Sequence, residues 1–274
     1  RSVEIEVNHA SSGAGDPAFT GSMILKLFED LAPRTTGQFL TLASRNPSFF
    51  EGIIFHRIAD SITPGENFVI QGGDPTGTGT GRSDLPNFDD EFHVDLQHTS
   101  IGILSMAKSA DETNNSQFFI TGEPTRHLDF NHSIFGLLVE GDDIREMITD
   151  VAVDNNDKPI SPVTMTDVTV FEDEQNGVFT LKTLDNSFTG MVNVTVTVSD
   201  GTEQVTKTMA VNVVPDTSDA APFLGTIPPI MTRANTPVQV TIPATDADGG
   251  AAMVFSVAET GNANLQATIN ASTG

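Results

Sequence analysis

The sequence predicts a mainly β chain, in which a closed antiparallel barrel with two helical lids is followed by β-sandwich modules, the last of them truncated. Three observations carry that reading. Apolar and polar residues alternate at period two in both halves of the chain, while helical spacing of apolar residues occurs at two places, both before residue 150. Composition also shifts near residue 172. All six His, 14 of the 18 Phe and ten of the 13 basic residues precede that point, whereas 173–274 is dominated by Val, Thr, Ala, Asn and Asp. Two kinds of domain are implied, with boundaries expected at 1–172, 173–216 and 217–274.

The first strand is read at Val3-Glu4-Ile5-Glu6-Val7, where the aliphatic side chains share one face, and a second at Met23 to Phe28, with Met23, Leu25 and Leu27 aligned. Pro33 then suits a first helical turn, because its missing N–H is not needed there. Thr36, Phe39, Leu40 and Ala43 follow on one helical face. Short Phe-rich and Ile-rich runs separated by Gly, Pro, Asn and Asp come next, as in a closed antiparallel barrel. A second helix is expected from Asp142 as N-cap, with Ile144, Met147 and Ile148 on its apolar face.

Beyond residue 172 the alternation is cleaner. Val192, Val194, Val196 and Val198 interleave with Asn193, Thr195 and Thr197, Asp200-Gly201 makes a turn, and Val205, Met209, Val211 and Val213 continue the pattern. Pro215 ends it, and 216–222 reads as a linker. A third block places Val238, Val240 and Ile242 in alternation before Asp246-Ala247-Asp248-Gly249-Gly250. Half-buried strands of tandem sandwiches are the expectation. The acidic turns at Asp246–Asp248 and Asp154–Asp157 offer few carboxylates for a Ca²⁺ ion and are read as solvated turns.

With 13 Lys and Arg against 37 Asp and Glu, the net charge is −24. Such a surface repels nucleic acid and anionic lipid, so a nucleic-acid binder is excluded. No apolar run reaches the roughly 18 residues that a membrane helix needs. The absence of Cys removes disulfides, thiolate metal sites and cysteine nucleophiles. No cofactor and no metal are expected, and the acidic surface favours a monomer. The start at Arg1 and the closing turn at Asn270 to Gly274 read as those of an excised piece.

The most informative stretch is Phe55-His56-Arg57-Ile58, a Pro64-Gly65 turn, and Phe68-Val69-Ile70-Gln71-Gly72-Gly73-Asp74. Further on come Gly102-Ile103-Leu104-Ser105-Met106-Ala107, then Asn114-Asn115-Ser116-Gln117-Phe118-Phe119-Ile120, Leu128-Asp129 and His132 to Gly136. Together, and in register from about residue 3 to about 172, these segments resemble the cyclophilins, the peptidyl-prolyl cis-trans isomerases. The resemblance implies an eight-stranded antiparallel barrel closed by two helices, which agrees with the periodicity. It also implies rotation of Xaa-Pro bonds in protein substrates, and hence a folding catalyst.

That activity makes physical demands. Amide resonance maintains a barrier of roughly 18–20 kcal/mol, and the prolyl nitrogen becomes pyramidal and gains a lone pair as the bond twists. A fixed cation can stabilise that state while gaining little from the planar one. Arg57 matches the family's arginine in this role, and its planar fork can also hold the substrate backbone. Gln71 matches the residue that bonds the substrate carbonyl region and orients Arg57. Phe68, Val69, Phe119, Leu128 and His132 match the apolar socket for the proline ring, where each buried CH₂ contributes on the order of 0.8 kcal/mol. For Phe68 and Phe119 the alternative is ordinary core packing. Phe118, on the opposite face of the strand, is expected in the core. Ala107, Lys108, Ser109, Gln117 and His127 match further substrate-binding positions. Amide rotation transfers no proton, so His132 is read as a socket wall that donates a hydrogen bond, and His56 as inward-facing and structural.

Several residues depart from the usual pattern. His127 stands where many members carry tryptophan, Val69 replaces a frequent methionine and Lys108 a frequent asparagine. Loss of the indole implies weakened cyclosporin binding with catalysis retained, and the long 59–67 segment implies altered substrate preference. The Gly72–Gly81 run lacks the Lys-Ser or Lys-Thr of a nucleotide loop, and the resemblance places it at the groove edge. The repeats resemble cadherin-like or immunoglobulin-like modules of bacterial surface proteins, which suggests an extracellular, cell-surface or periplasmic location. The competing reading is a non-catalytic module that binds proline segments for adhesion.

Overall fold

A computed structural model of the chain describes residues 1–60, 67–184, 187–225, 227, 230–234, 236–248 and 253–257. The expected Pro64-Gly65 turn, Gly249-Gly250 and the closing turn lie outside them. The described residues within Arg1–Val178 and Ala220–Gly274 form one compact unit, and those within Phe179–Asp219 a second.

The first unit is built on β1 (Ser2–His9), β2 (Phe19–Leu27), α1 (Pro33–Ala43), β3 (Ile54–Phe55), β4 (Arg57–Asp60) and β5 (Asn67–Gly72). It continues through β6 (Ile103–Met106), β7 (Phe118–Thr121), β8 (Ile134–Glu140), α2 (Asp142–Thr149) and β9 (Val163–Phe171). The strand order is β3-β9-β1-β2-β8-β6-β7-β5-β4, with antiparallel pairing throughout. The two ends of that order, β3 and β4, are one chain segment separated by His56 alone. A sheet whose outermost strands are consecutive in sequence is nearly closed. Counting 54–60 as a single strand bent at His56 gives the expected eight.

Alternation does what the sequence predicts. Val3, Ile5 and Val7 point into the core opposite Met23 and Leu25 of β2. Phe39 of α1 stacks on Phe50 at 4.9 Å and meets Phe118 edge-on at 5.5 Å, while Phe50 and Phe55 also present edges to Phe118. Such contacts add about 0.5–1.5 kcal/mol each to the area buried. No side chain caps α1 locally. Glu91 reaches it from 56 residues away and accepts from Thr35 N at 2.8 Å and Arg34 N at 3.1 Å, which supplies negative charge to a bare helix start.

In α2 two expectations need correction. The N-cap is Gly141, at φ 85°, where a side chain would be strained and would strike Ser22 O, and Asp142 is the first helical residue. Ile144 and Ile148 are buried as expected, but Met147 is exposed and Arg145 is buried in its place, held by Asp142 at 2.6 Å. The helix rests on the side lying between 144/148 and 145/149, because a salt-bridged arginine stem can cover apolar surface.

The second unit is a hairpin of β10 (Gly190–Ser199) and β11 (Gln204–Val213), in register from Gly190↔Val213 to Ser199↔Gln204. One face carries the valines with Met209 and Lys207; the other carries threonines whose hydroxyls meet across the strands, Thr195 with Thr208 at 2.8 Å. Val198 and Val205 remain 70% and 74% exposed.

In the first unit, β12 (Phe223–Leu224) pairs with β13 (Ala244–Thr245), and Phe223 stacks on Phe130 at 4.8 Å. The alternating segment at 238–242 lies in no strand. It falls between Pro237 and Pro243, and pairing begins only after the second proline, which lacks the N–H a ladder requires. The acidic turns close on backbone: Asp154 accepts from Asn156 N and Lys158 N, and Asp248 from Ala220 N. Among the described residues no group of three acidic or histidine side chains could hold a metal, and no helix is long and apolar enough to cross a membrane.

Candidate active site

A small apolar cluster sits apart from the barrel core. Ala59, Val69 and Phe119 form its buried part, and Phe68, Ala107 and Leu128 pack against it. Its members come from β4, β5, β7, the end of β6 and the 3-10 turn Arg126–Leu128, brought together by ladder register: Ala59 opposes Val69, and Val69 opposes Thr121. Phe118 and Phe119 separate as alternation requires, the first into the core and the second into this pocket. His132 meets Phe119 edge-on at 5.5 Å, and His127 stacks on Phe68 at 5.6 Å at the rim.

Arg57 projects from β4 beside the pocket, 42% exposed, with Nη2 3.4 Å from Asp157 Oδ2. Gln71 is its cross-strand partner, but the Gln71 amide donates to Gln117 Oε1 at 3.0 Å. The Gln117 amide in turn donates to Gly79 O and Gly81 O at 3.1 and 2.8 Å. A polar chain therefore runs from Gln71 to the glycine loop. Ala107 N donates to Gln117 O, closing the wall beyond β6. The Lys108 ammonium turns away onto Asp90 at 2.6 Å and Asp111 at 2.8 Å, so this residue offers a peptide its backbone more than its charge. Ser109 lies on the exposed loop beyond, its hydroxyl on Thr113.

The glycine loop is organised from within. The buried Asp74 carboxylate accepts from the backbone of Thr76, Thr78, Gly79 and Gly81 at 2.6–3.1 Å and from the Thr76 hydroxyl at 2.8 Å. Burial opposes its ionisation, yet the Thr76 hydroxyl and these amides prevail and lower its pKa to about 2. The amides that a phosphate would need are already occupied. Gly81 is required for the close approach, since a Cβ there would meet Asp74 Oδ1 at 1.9 Å.

Behind Phe119 lies a string that sequence reading missed. His98 stacks on its ring at 6.0 Å, bonds Asp129 Oδ1 through Nδ1 at 3.0 Å and Ser105 Oγ through Nε2 at 3.2 Å. The order is that of a nucleophile, base and carboxylate, but all three are buried, and the fully buried Ser105 hydroxyl is sealed from any substrate. The string braces the pocket. Burial acts against the Asp129 charge, yet hydrogen bonds from the His98 ring and N–H and from Arg126 hold its pKa below the ordinary value.

His132 Nδ1 lies 2.9 Å from Met106 O, so the neutral ring places its proton there and leaves Nε2 as an acceptor. Burial pushes its pKa below that of a free imidazole, outweighing the Met106 bond, and burial does the same at His56. In both, the unfolded chain takes up protons first, so their contribution to stability is full above the ordinary imidazole value near 6.5 and is lost as pH falls below it. Thermal melts in about 1 M salt, where repulsion among surface acids is screened, should be flat between about pH 8 and 7 and decline toward pH 5. A melting temperature that rises on acidification would contradict these assignments.

The missed residues differ in legibility. Ala59 lies two residues after Arg57, on the same face of β4, a signal the alternation did contain. Asp157 with Arg57 and the His98–Asp129 pair carried none, since the partners lie a hundred residues apart in the first case and 31 in the second.

An apolar pocket lies on the flank of the barrel beside an exposed guanidinium, and the Ser105-His98-Asp129 string is sealed beneath it. A model of the family described as cyclophilin type peptidyl-prolyl cis-trans isomerase/CLD matches residues 14–170. The peptidyl-prolyl cis-trans isomerase ppi1 of Schizosaccharomyces pombe is 45% identical over 145 residues, 52% of this chain and 88% of the relative. The isomerase CYP18-2 of Arabidopsis thaliana is 40% identical over the same length, 84% of its own. A solved cyclophilin type isomerase of Cryptosporidium parvum superposes with a TM-score of 0.54 at 30% identity, over 63% of this chain and 98% of that one. Another structure of that protein, determined in the presence of the dipeptide Ala-Pro, gives 0.53 at 30% identity over 63% and 100%. The chain belongs to the cyclophilin-type peptidyl-prolyl cis-trans isomerases, and cis-trans isomerisation of Xaa-Pro bonds is its activity.

Proposed function

We propose that the pocket of Phe68, Val69, Phe119, Leu128 and His132 receives the proline ring of a protein segment and that Arg57 stabilises the twisted amide. The single observation that carries this is the convergence of a separate apolar cluster and a half-exposed arginine on one flank of the barrel. An apolar socket immobilises the ring while the preceding carbonyl turns, and the guanidinium meets the nitrogen lone pair that exists only near the transition state. Ala107, Lys108 and Gln117 contribute backbone and amide groups to the wall, His127 caps the rim, and Ser109 lies where a longer peptide would run. The loss of an indole at His127 supports weakened cyclosporin binding.

The segments after residue 172 are taken as parts of β-sandwich surface repeats, divided at 173–216 and 217–274, in a monomeric folding catalyst for exported or surface proteins. Support comes from the two-faced hairpin, whose valines are suited to a second layer and whose threonines suit solvent.

Two-dimensional exchange NMR on Ala-Ala-Pro-Ala-Ala with substoichiometric protein tests the site. Exchange cross-peaks between cis and trans resonances are expected, with a rate constant flat above about pH 6.5 because no proton moves. Shifted peptide signals without accelerated exchange would replace this reading with the adhesion module.

A further inference from the structure

We propose that Asp157 sets the charge selectivity of the groove for the residue that follows proline. The proposal rests on the reading of Arg57 as the group that stabilises the twisted amide and holds the substrate backbone. In that arrangement the next residue of the peptide leaves the groove past Arg57 and therefore past Asp157.

Asp157 is placed there by construction. Its carbonyl accepts from Ile58 N at 2.7 Å, which ties the 154–158 loop to the strand that carries Arg57. The loop is closed on itself by Asp157 N on Asp154 O and by Asn156 N and Lys158 N on the Asp154 carboxylate. On the far side the Lys158 ammonium bonds Gly77 O at 3.0 Å, fastening the loop to the groove-edge glycines. Asp157 itself sits at φ 60°, a conformation that Asp and Asn adopt more readily than other residues with a Cβ. This fixed backbone carries a carboxylate to within 3.4 Å of the Arg57 guanidinium, with the two side chains 44% and 42% exposed. Both charges therefore face solvent where a peptide must pass.

Without the carboxylate, the Arg57 guanidinium would present uncompensated positive charge to the departing peptide and would favour acidic residues after proline. With it, that attraction is offset and a basic residue is tolerated. The pair is too exposed to be worth much in stability, so its effect is expected on substrates.

The test compares kcat/KM on Ala-Ala-Pro-Lys-Ala, Ala-Ala-Pro-Ala-Ala and Ala-Ala-Pro-Glu-Ala for the parent and Asp157→Asn. Asn keeps the shape, the left-handed conformation and the Ile58 bond. At low salt the variant should gain about threefold on the Glu peptide and lose about threefold on the Lys peptide, the Coulomb effect of one charge at roughly 7 Å in water. The Ala peptide should change less than either. In about 1 M salt, where the screening length is about 3 Å, the difference should vanish. Parallel changes on all three peptides would make Asp157 a brace for Arg57 and overturn the proposal, as would unchanged ratios. A parent with no catalysis on any peptide would remove the underlying reading of the site together with it.

Discussion

Arg57→Ala should lower catalysed isomerisation at least about tenfold and leave the melting temperature nearly unchanged. The kinetic expectation follows from differential binding. The prolyl nitrogen of a planar amide has no free lone pair, so the guanidinium gains most of its interaction as the bond twists, and such donors are commonly worth two to three orders of magnitude when removed. The stability expectation follows from exposure. Arg57 is 42% exposed, and its ion pair with Asp157 spans 3.4 Å at the surface, where such pairs contribute about 0–1 kcal/mol. Arg57→Lys should fall between parent and Ala, because an ammonium supplies charge without the fork that also grips the backbone. Exchange NMR on a proline peptide and a thermal melt on the same samples check both halves. Equal rates for Ala variant and parent would remove Arg57 from the mechanism, and a large loss of melting temperature would mean that the arginine is structural.

Asp74→Ala should destabilise the protein by about 3–5 kcal/mol and raise KM more than it lowers kcat. Its carboxylate holds four backbone N–H groups and one hydroxyl in a buried position, and a hydrogen bond to a charged acceptor is worth about 1.5–3 kcal/mol. Removing it leaves those donors without their partner while the loop relaxes toward water, which limits the loss to less than the full sum. The kinetic part passes through Gly79 O and Gly81 O, which hold Gln117, which holds Gln71. A loosened loop thus frees the amides that receive substrate while Arg57 and the pocket remain. The same carboxylate makes acid sensitivity calculable in sign. Its folded pKa of about 2 lies below the usual aspartate value, so the stabilisation is present above about pH 4 and is lost as pH falls toward 2. Urea titration measures the first expectation, and amide hydrogen exchange at Gly79 and Gly81 measures the loosening. An unchanged midpoint with protected amides would show that the loop holds its shape without Asp74.

Sequence alone determined what depends on near neighbours. Alternation at Val3 to Val7 identified a strand with one buried face, Pro33 marked the start of α1, and the adjacency of Phe118 and Phe119 divided them between core and pocket. The family motifs were legible because each is a contiguous run. Tertiary structure alone decided which distant groups meet. The register of the β4–β5 ladder sets Arg57 opposite Gln71, and the 154–158 loop brings Asp157 to the guanidinium from a hundred residues away. Met147 faces water because the packing of α2, not its periodicity, chose the side to bury. The segment at 238–242 alternates yet forms no ladder, since alternation specifies two faces and a ladder also needs a partner with free N–H and C=O groups. Periodicity is written along one dimension of the chain, whereas register, closure and charge pairing are properties of strands that meet only after folding.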